Sequence, residues 1–233
     1  MRHLLLKALK STAKRLGMQV IPADRGQVYL HTYEGGYDAY RARQIDANRQ
    51  KLDRIWADDT TMDHVAGIAR RAPVPPQRVL CHGSRNGWEV AALARRLRCA
   101  VTGTDISPTA AEFDGMVEWD FHEPNPDWTG QFDLVYSNSL DQAFDPRRAI
   151  GTWVDQLAPH GRFVIDHSVE HDVTHTSDMD PFGANPMAMP YLLFQWGRGR
   201  WRLDDIVEIE RKANRAIPTW LFVVAPDRGA TAT

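Results

Sequence analysis

Cysteine is scarce in this chain. Cys81 and Cys99 are its only two, too few for a disulfide framework and suited to a reducing, cytoplasmic setting. Long apolar runs are missing too: residues 4–6 form a stretch far too short for a bilayer span or the core of a secretory signal. Neither sign of charge dominates, with 28 basic side chains against 30 acidic ones. That balance removes the electrostatic footprint of a dedicated nucleic-acid binder. Repeats and low-complexity tracts are absent. What remains is ordinary globular material, 43% apolar and 25% charged over 233 residues. Such a chain makes one full domain with a modest appendage.

The near-neutral total hides a polarity. Residues 1–15 carry five basic side chains and no acidic one. With Leu5, Leu9 and Leu16 near helical spacing, residues 1–16 read as a basic amphipathic helix. Two roles are open to it: contact with an anionic membrane surface, or packing on its own domain or on the second copy in a homodimer.

Two helices are expected next, over residues 42–56 and 62–71, the second with Thr60 as N-cap. Pro73, Pro75 and Pro76 then stop helical structure. The boundary is set there, with residues 1–76 as an N-terminal helical cap and 77–233 as the main domain. Tyr33, Tyr37 and Tyr40 beside Gly35 and Gly36 suit either a lid or plain packing of that cap.

Beyond Pro76 strands and helices alternate. Strands are expected at Arg78–His82, Ala100–Asp105, 116–119, Phe132–Ser137, 162–166 and 219–224. Helices are expected at Trp88–Leu97, 108–113, 146–157 and 203–214. This alternation argues for an α/β fold, a doubly wound and mostly parallel sheet. Residues 167–190 look polar and irregular, and a loop that long is usually functional or mobile.

The first strand carries the chemistry. Val79-Leu80-Cys81-His82-Gly83-Ser84-Arg85-Asn86-Gly87-Trp88-Glu89 runs from strand through a glycine turn into a helix, and Asp105 ends the next strand 22 positions after Gly83. A helix N-terminus and a carboxylate therefore share one crevice, where the carboxylate can accept hydrogen bonds from ribose hydroxyls. A dinucleotide fingerprint needs glycine where Arg85 stands, so NAD and FAD are disfavoured.

Here the sequence resembles the class I S-adenosylmethionine-dependent methyltransferases, in their small-molecule, type 11-like branch. Four further segments match in order: Val117-Glu118-Trp119-Asp120-Phe121, Phe132 to Leu140, the turn Asp141-Gln142-Ala143-Phe144-Asp145-Pro146, and Leu157-Ala158-Pro159-His160-Gly161 entering a strand. The resemblance spans residues 78–166 and implies a Rossmann-like sheet and S-adenosyl-L-methionine as cofactor. It assigns His82, Gly83, Arg85 and Gly87 to the cofactor turn and Asp105 with Ile106 to the ribose. Asp120 and Phe121 fall to the adenine, and Ser137 and Asn138 to the passage between methyl donor and acceptor. Arg85 replaces a family glycine and is a candidate partner for the cofactor's carboxylate. Cys81 stands where the family often has an acid, and reads as a small core residue.

His167-Ser168-Val169-Glu170-His171 spells a zinc-protease pattern, but zinc needs it on a helix and here it follows a strand, so no metal is expected. His167 and His171 instead stand as candidate general bases. Trp196 to Arg202 alternates tryptophan, glycine and arginine, and reads as a turn near the substrate pocket rather than a nucleic-acid contact. The expected activity is methyl transfer to a small-molecule or glycan acceptor, as an O-methyltransferase. The alternative is a cofactor-binding regulatory or assembly protein without turnover. In a thermal-shift assay S-adenosylhomocysteine should raise the melting temperature and NAD should not; the reverse pattern would remove the assignment.

Overall fold

The computed structural model describes residues 11–13, 15, 16, 26–209 and 216–227. The amphipathic segment 1–16, and the membrane or dimer contact assigned to it, lie largely outside the described residues; residues 11–13 and 15 are helical. The chain opens with β1 (Val28–Leu30), α1 (Gly36–Gln50) and α2 (Asp59–Arg70). Then come β2 (Arg78–His82), α3 (Trp88–Leu97), β3 (Ala100–Asp105), β4 (Met116–Glu118) and β5 (Phe132–Ser137). The remainder is α4 (Pro146–Asp155), β6 (Leu157–Ser168), β7 (Phe182–Ala184), α5 (Met189–Gly197), β8 (Trp201–Ile209) and β9 (Thr219–Pro226).

Seven strands form one sheet in the order β4-β3-β2-β5-β6-β9-β8. Neighbours from β4 to β6 run parallel, and β9 runs antiparallel to both β6 and β8. The order reverses between β2 and β5, and such a switch point opens a crevice at the carboxyl ends of the strands. β1 and β7 form a separate antiparallel ribbon.

Alternate side chains of each strand feed alternate cores, as the pleat requires. Leu80, Val135, Phe163 and Phe222 face a core shared with Ile150 and Trp153 of α4 and Leu193 of α5. Val79, Cys81, Tyr136, Val164 and Leu221 face the other, shared with Met62 and Val65 of α2 and Leu93 of α3. Helix α2 is thus a layer of the sheet domain, although it precedes the boundary read at Pro76. Asp58 caps it, accepting a hydrogen bond from Thr61 N–H at 2.9 Å, where Thr60 was expected.

Three further elements depart from the sequence expectation. Helix α1 begins and ends six residues before the predicted 42–56, because its buried face is polar and gave no apolar period. The stretch 201–209, expected as helix, is strand β8; residues 210–215 lie outside the described residues. A register shift between Leu203 and Asp205 places an extra residue in β8, so Leu203, Ile206 and Val207 mimic helical spacing. The turn at Arg198–Arg200 joins α5 to β8 at the end of the sheet opposite the crevice, where Arg200 pairs with Asp155 at 2.7 Å. It is therefore no part of a substrate pocket.

Trp153 anchors the first core. It is fully buried, stacks on His82 with centroids 5.3 Å apart, and donates its indole N–H to the Phe121 carbonyl at 3.0 Å. Trp153→Ala should cost roughly 3–5 kcal/mol of unfolding free energy in urea titrations, with little change in slope.

Candidate functional site

Where β2 ends, the chain must turn sharply under its neighbours. Gly83 takes φ 71°, and a Cβ there would sit 2.5 Å from Ser139 Cβ and Oγ, so only glycine fits. The Ser139 hydroxyl donates to the Gly83 carbonyl at 3.1 Å, tying the β2 turn to the segment after β5. Ser137, at the tip of β5, donates to the His82 carbonyl at 3.1 Å and accepts from Ser139 N–H. Gly87, at φ 72°, starts α3 and packs against Met116.

Asp105 joins the next turn to this one. Its Oδ2 accepts from the Arg85 N–H at 3.1 Å and its Oδ1 from the Ser107 N–H at 2.9 Å. Burial raises its carboxyl above the ordinary aspartate range. Asp120, beyond β4, accepts from His122 N–H and Nδ1 at 3.0 and 2.8 Å through one oxygen. Phe121 is buried edge-on to Trp153.

These groups line two adjacent chambers. The smaller, about 20 Å³, is walled by Gly83, Asp105, Ile106, Asp120 and Phe121 on the sheet side. Helix α1 covers it with Tyr40, Gln44, Ala47 and Asn48, one face at helical spacing. Tyr40 donates to the Gln142 carbonyl at 3.0 Å and Asn48 accepts from Thr109 Oγ1 at 2.9 Å, so the cover is tied on both sides. The larger chamber, about 310 Å³, shares Lys51, Gly83, Arg85 and Gln142 with the first. Its own walls include Trp56, Glu89, Asn138, Asp141 and His171. Burial raises the Glu89 carboxyl, and its Oε1 accepts from Asn138 Nδ2 at 3.1 Å.

Residues 80–165 match the family described as a methyltransferase domain. Residues 80–165 are thus the stretch of the chain that carries the sequence pattern of a methyltransferase domain. No curated protein matches the chain. Among solved structures it is similar to a 1,6-didemethyltoxoflavin N1-methyltransferase of Burkholderia thailandensis, crystallised with S-adenosylhomocysteine. That match has 15% identity and a TM-score of 0.64, over 89% of this chain and 98% of the other. The [4+2]-cyclase SpnF matches at 14% identity and TM-score 0.61, over 87% and 99%. The mitomycin 7-O-methyltransferase MmcR matches at 14% and 0.53, over 72% of this chain and 54% of that one. At such identities the structural likeness speaks to the fold alone.

Of the cofactor residues expected from sequence, Gly83, Arg85, Asp105, Ile106, Asp120 and Phe121 meet at the small chamber. Asn138 stands in the larger one, while His82, Gly87 and Ser137 line neither. The His82 ring lies beneath the crevice, between Thr104 Oγ1 at 2.9 Å and Gln156 Oε1 at 2.8 Å. Arg85, at φ 45°, donates Nη1 to the Arg54 carbonyl at 3.1 Å, from a place on both chamber walls.

The two candidate bases part company. His167 is buried and donates Nε2–H to the Ala184 carbonyl at 2.9 Å, away from the cleft. His171 does line it, in a single turn after β6, under the ring of Trp56. Sequence reading missed Gln44, Ala47 and Asn48 of α1, and it gave no role to Glu89 or Asp141, although both lie inside the motifs after β2 and β5.

Burial pushes the imidazoles of His82 and His167 down to about 4. Both are neutral in the folded chain where the unfolded chain's histidines charge, near pH 6.5. The unfolded state then binds more protons, so stability is full above pH 6.5 and falls as pH drops toward 4. Each should cost about 2 kcal/mol between pH 7 and pH 5, read from urea midpoints. His82→Gln should flatten part of that slope.

Proposed function

We propose that the chain is an O-methyltransferase, moving the methyl group of S-adenosyl-L-methionine to a small, polar, hydroxylated acceptor such as a sugar or a glycan fragment. The observation that carries the reading is that the two chambers lie side by side at the switch point of the sheet, with Gly83 and Arg85 in the walls of both. One chamber has the chemistry of a nucleoside site and the other a polar wall with one flat indole, Trp56.

The donor set fits the cofactor. Phe121 and Ile106 offer apolar faces to adenine, and Asp120 keeps one oxygen free of hydrogen bonds among the described residues for its amino group. Asp105 accepts from the Arg85 and Ser107 N–H groups and from the Asn48 side chain, and keeps lone-pair capacity for a ribose hydroxyl. The Arg85 guanidinium suits a carboxylate. When bound, S-adenosylmethionine supplies a methyl group already activated on a sulfonium.

The residues of the chain then do the rest: hold donor and acceptor in line, exclude water, and accept the acceptor's proton. At about 20 Å³ the small chamber holds roughly one water. Helix α1 lies over this chamber, which makes Tyr40 and Asn48 the cover of the bound cofactor. The acceptor enters the larger chamber, whose about 310 Å³ suits one small ring. Two unbridged cysteines accord with a cytoplasmic setting.

Isothermal calorimetry tests the reading. S-adenosylhomocysteine should bind the wild type, and Asp105→Asn should weaken it by about 10- to 100-fold, the loss of a hydrogen bond to a charged group. Consumption of S-adenosylmethionine should then depend on a hydroxylated acceptor from a panel of monosaccharides and methyl glycosides. Equal affinity in the variant would remove the ribose role, and absence of binding to the wild type would remove the function.

A further inference from the structure

Resting on the methyl-transfer reading, we propose that Asp141 is the general base that takes the acceptor's proton, with His171 as its positioning partner. Asp141 sits in the single turn Leu140–Gln142, directly after β5, and shares the wall of the larger chamber with Gly83, Asn138 and Ser139. Its side chain is only 12% exposed, and Oδ1 is buried with no hydrogen-bond partner among the described residues. A buried carboxylate oxygen left unmatched is costly, and such groups concentrate where a ligand supplies the missing donor. An acceptor O–H is that donor.

The histidines are excluded by their own hydrogen bonds. The Ser168 backbone N–H donates to His171 Nδ1 at 3.1 Å, so Nδ1 must hold the lone pair and the neutral ring carries its proton on Nε2. That Nε2–H lies 3.9 Å from Asp141 Oδ2. The one nitrogen with a lone pair is spent on the backbone, and the nitrogen nearest the carboxylate is a donor. His171 can steer and stabilise Asp141 but has no free lone pair to take a proton. Ser168 Oγ accepting from Glu170 N–H at 3.2 Å closes the same turn and locks the ring, with the Trp56 ring 5.2 Å away. His167 is sealed behind the strand, and His175 and Glu170 stand on the exposed rim. Glu89 is matched to Asn138.

The surroundings tune Asp141 for the task. Burial first, and then the Asp180 carboxylate, push its carboxyl well above the ordinary range, and Lys51 opposes them. Arg54, Arg85, Glu89, Glu170, His171 and His175 are the other charged or titratable groups of the chamber wall. A carboxylate raised in this way is a stronger base toward an acceptor O–H than an ordinary one.

The step balances. The proton leaves the acceptor oxygen for the Asp141 carboxylate while that oxygen's lone pair forms the new C–O bond. The C–S bond breaks and its electron pair remains on the departing thioether. One positive and one negative charge disappear together.

Carboxyl ¹³C NMR titration of the intact chain, with D141N and D141E for assignment, should find an aspartate titrating well above its usual ~3.9. Long-range ¹⁵N spectra should show His171 as the Nε2–H form. With S-adenosylmethionine and the monosaccharide panel, D141N should lower kcat by about 10²- to 10⁴-fold. Its affinity for S-adenosylhomocysteine should be unchanged, and the wild-type rise of kcat with pH should be lost. An ordinary Asp141 carboxyl, a His171 protonated on Nδ1, or wild-type kcat in D141N would each overturn the assignment. Wild type that fails to bind S-adenosylhomocysteine would instead overturn methyl transfer, whereas tight binding with an ordinary Asp141 sinks the base alone.

Discussion

Two backbone N–H groups from different turns converge on one buried carboxylate, that of Asp105, and the crevice depends on that convergence. The Arg85 N–H fixes the turn after β2 and the Ser107 N–H the turn after β3, each through its own oxygen. Parallel strands only bring their carboxyl ends side by side; they do not set how the following loops lie over one another. Asp105 does so across β2 and β3, and Ser137 and Ser139 do so across β2 and β5. Between these two ties Gly83 is the one residue small enough to pass.

The layer beneath the crevice is unusually polar for a core. His82, Thr104 and Gln156 form a buried chain under Trp153, and the Tyr136 hydroxyl donates to Asp166 at 3.2 Å within the opposite core. Buried polar groups of this kind are stabilising only when matched, so they rigidify the strand tips at some expense in stability. The surrounding aromatic packing offsets it. Trp153 contacts His82, Phe121 and Phe163 at centroid distances of 5.3, 5.2 and 5.0 Å. Pocket geometry and fold stability are therefore carried by the same side chains.

Legibility in the sequence followed apolar pattern closely. Strands β2 and β5 and helix α3 fall on the residues read from sequence because each buries a run or stripe of Val, Leu and Ala, and β3 falls there through the spacing of its terminal Asp105 from Gly83. Helix α1 was misplaced since Tyr40, Gln44, Ala47 and Asn48 bury a polar face against a chamber, where the usual period has no apolar signal. Strand β8 was read as a helix because one inserted residue converts its alternation into a three-and-four spacing. The chamber residues gathered at Gly83, Asp105, Asp120 and Phe121 were legible through motif order. The tautomer of His171 was not, since it is decided by a backbone N–H three residues upstream in a turn that composition does not announce.

Arg85 adopts the left-handed backbone, φ 45°, at a place where glycine would rest without strain. An L-residue there costs on the order of 1 kcal/mol, so the ground state is less stable than a glycine version of the same turn. The side chain retained at that expense reaches both chambers. Selection for thermostability alone would erode this position, as it would the left-handed Arg98 and Arg198. A library screened only by melting temperature would drift toward glycine at residue 85, and the enzymes recovered would be sturdier and emptier-handed.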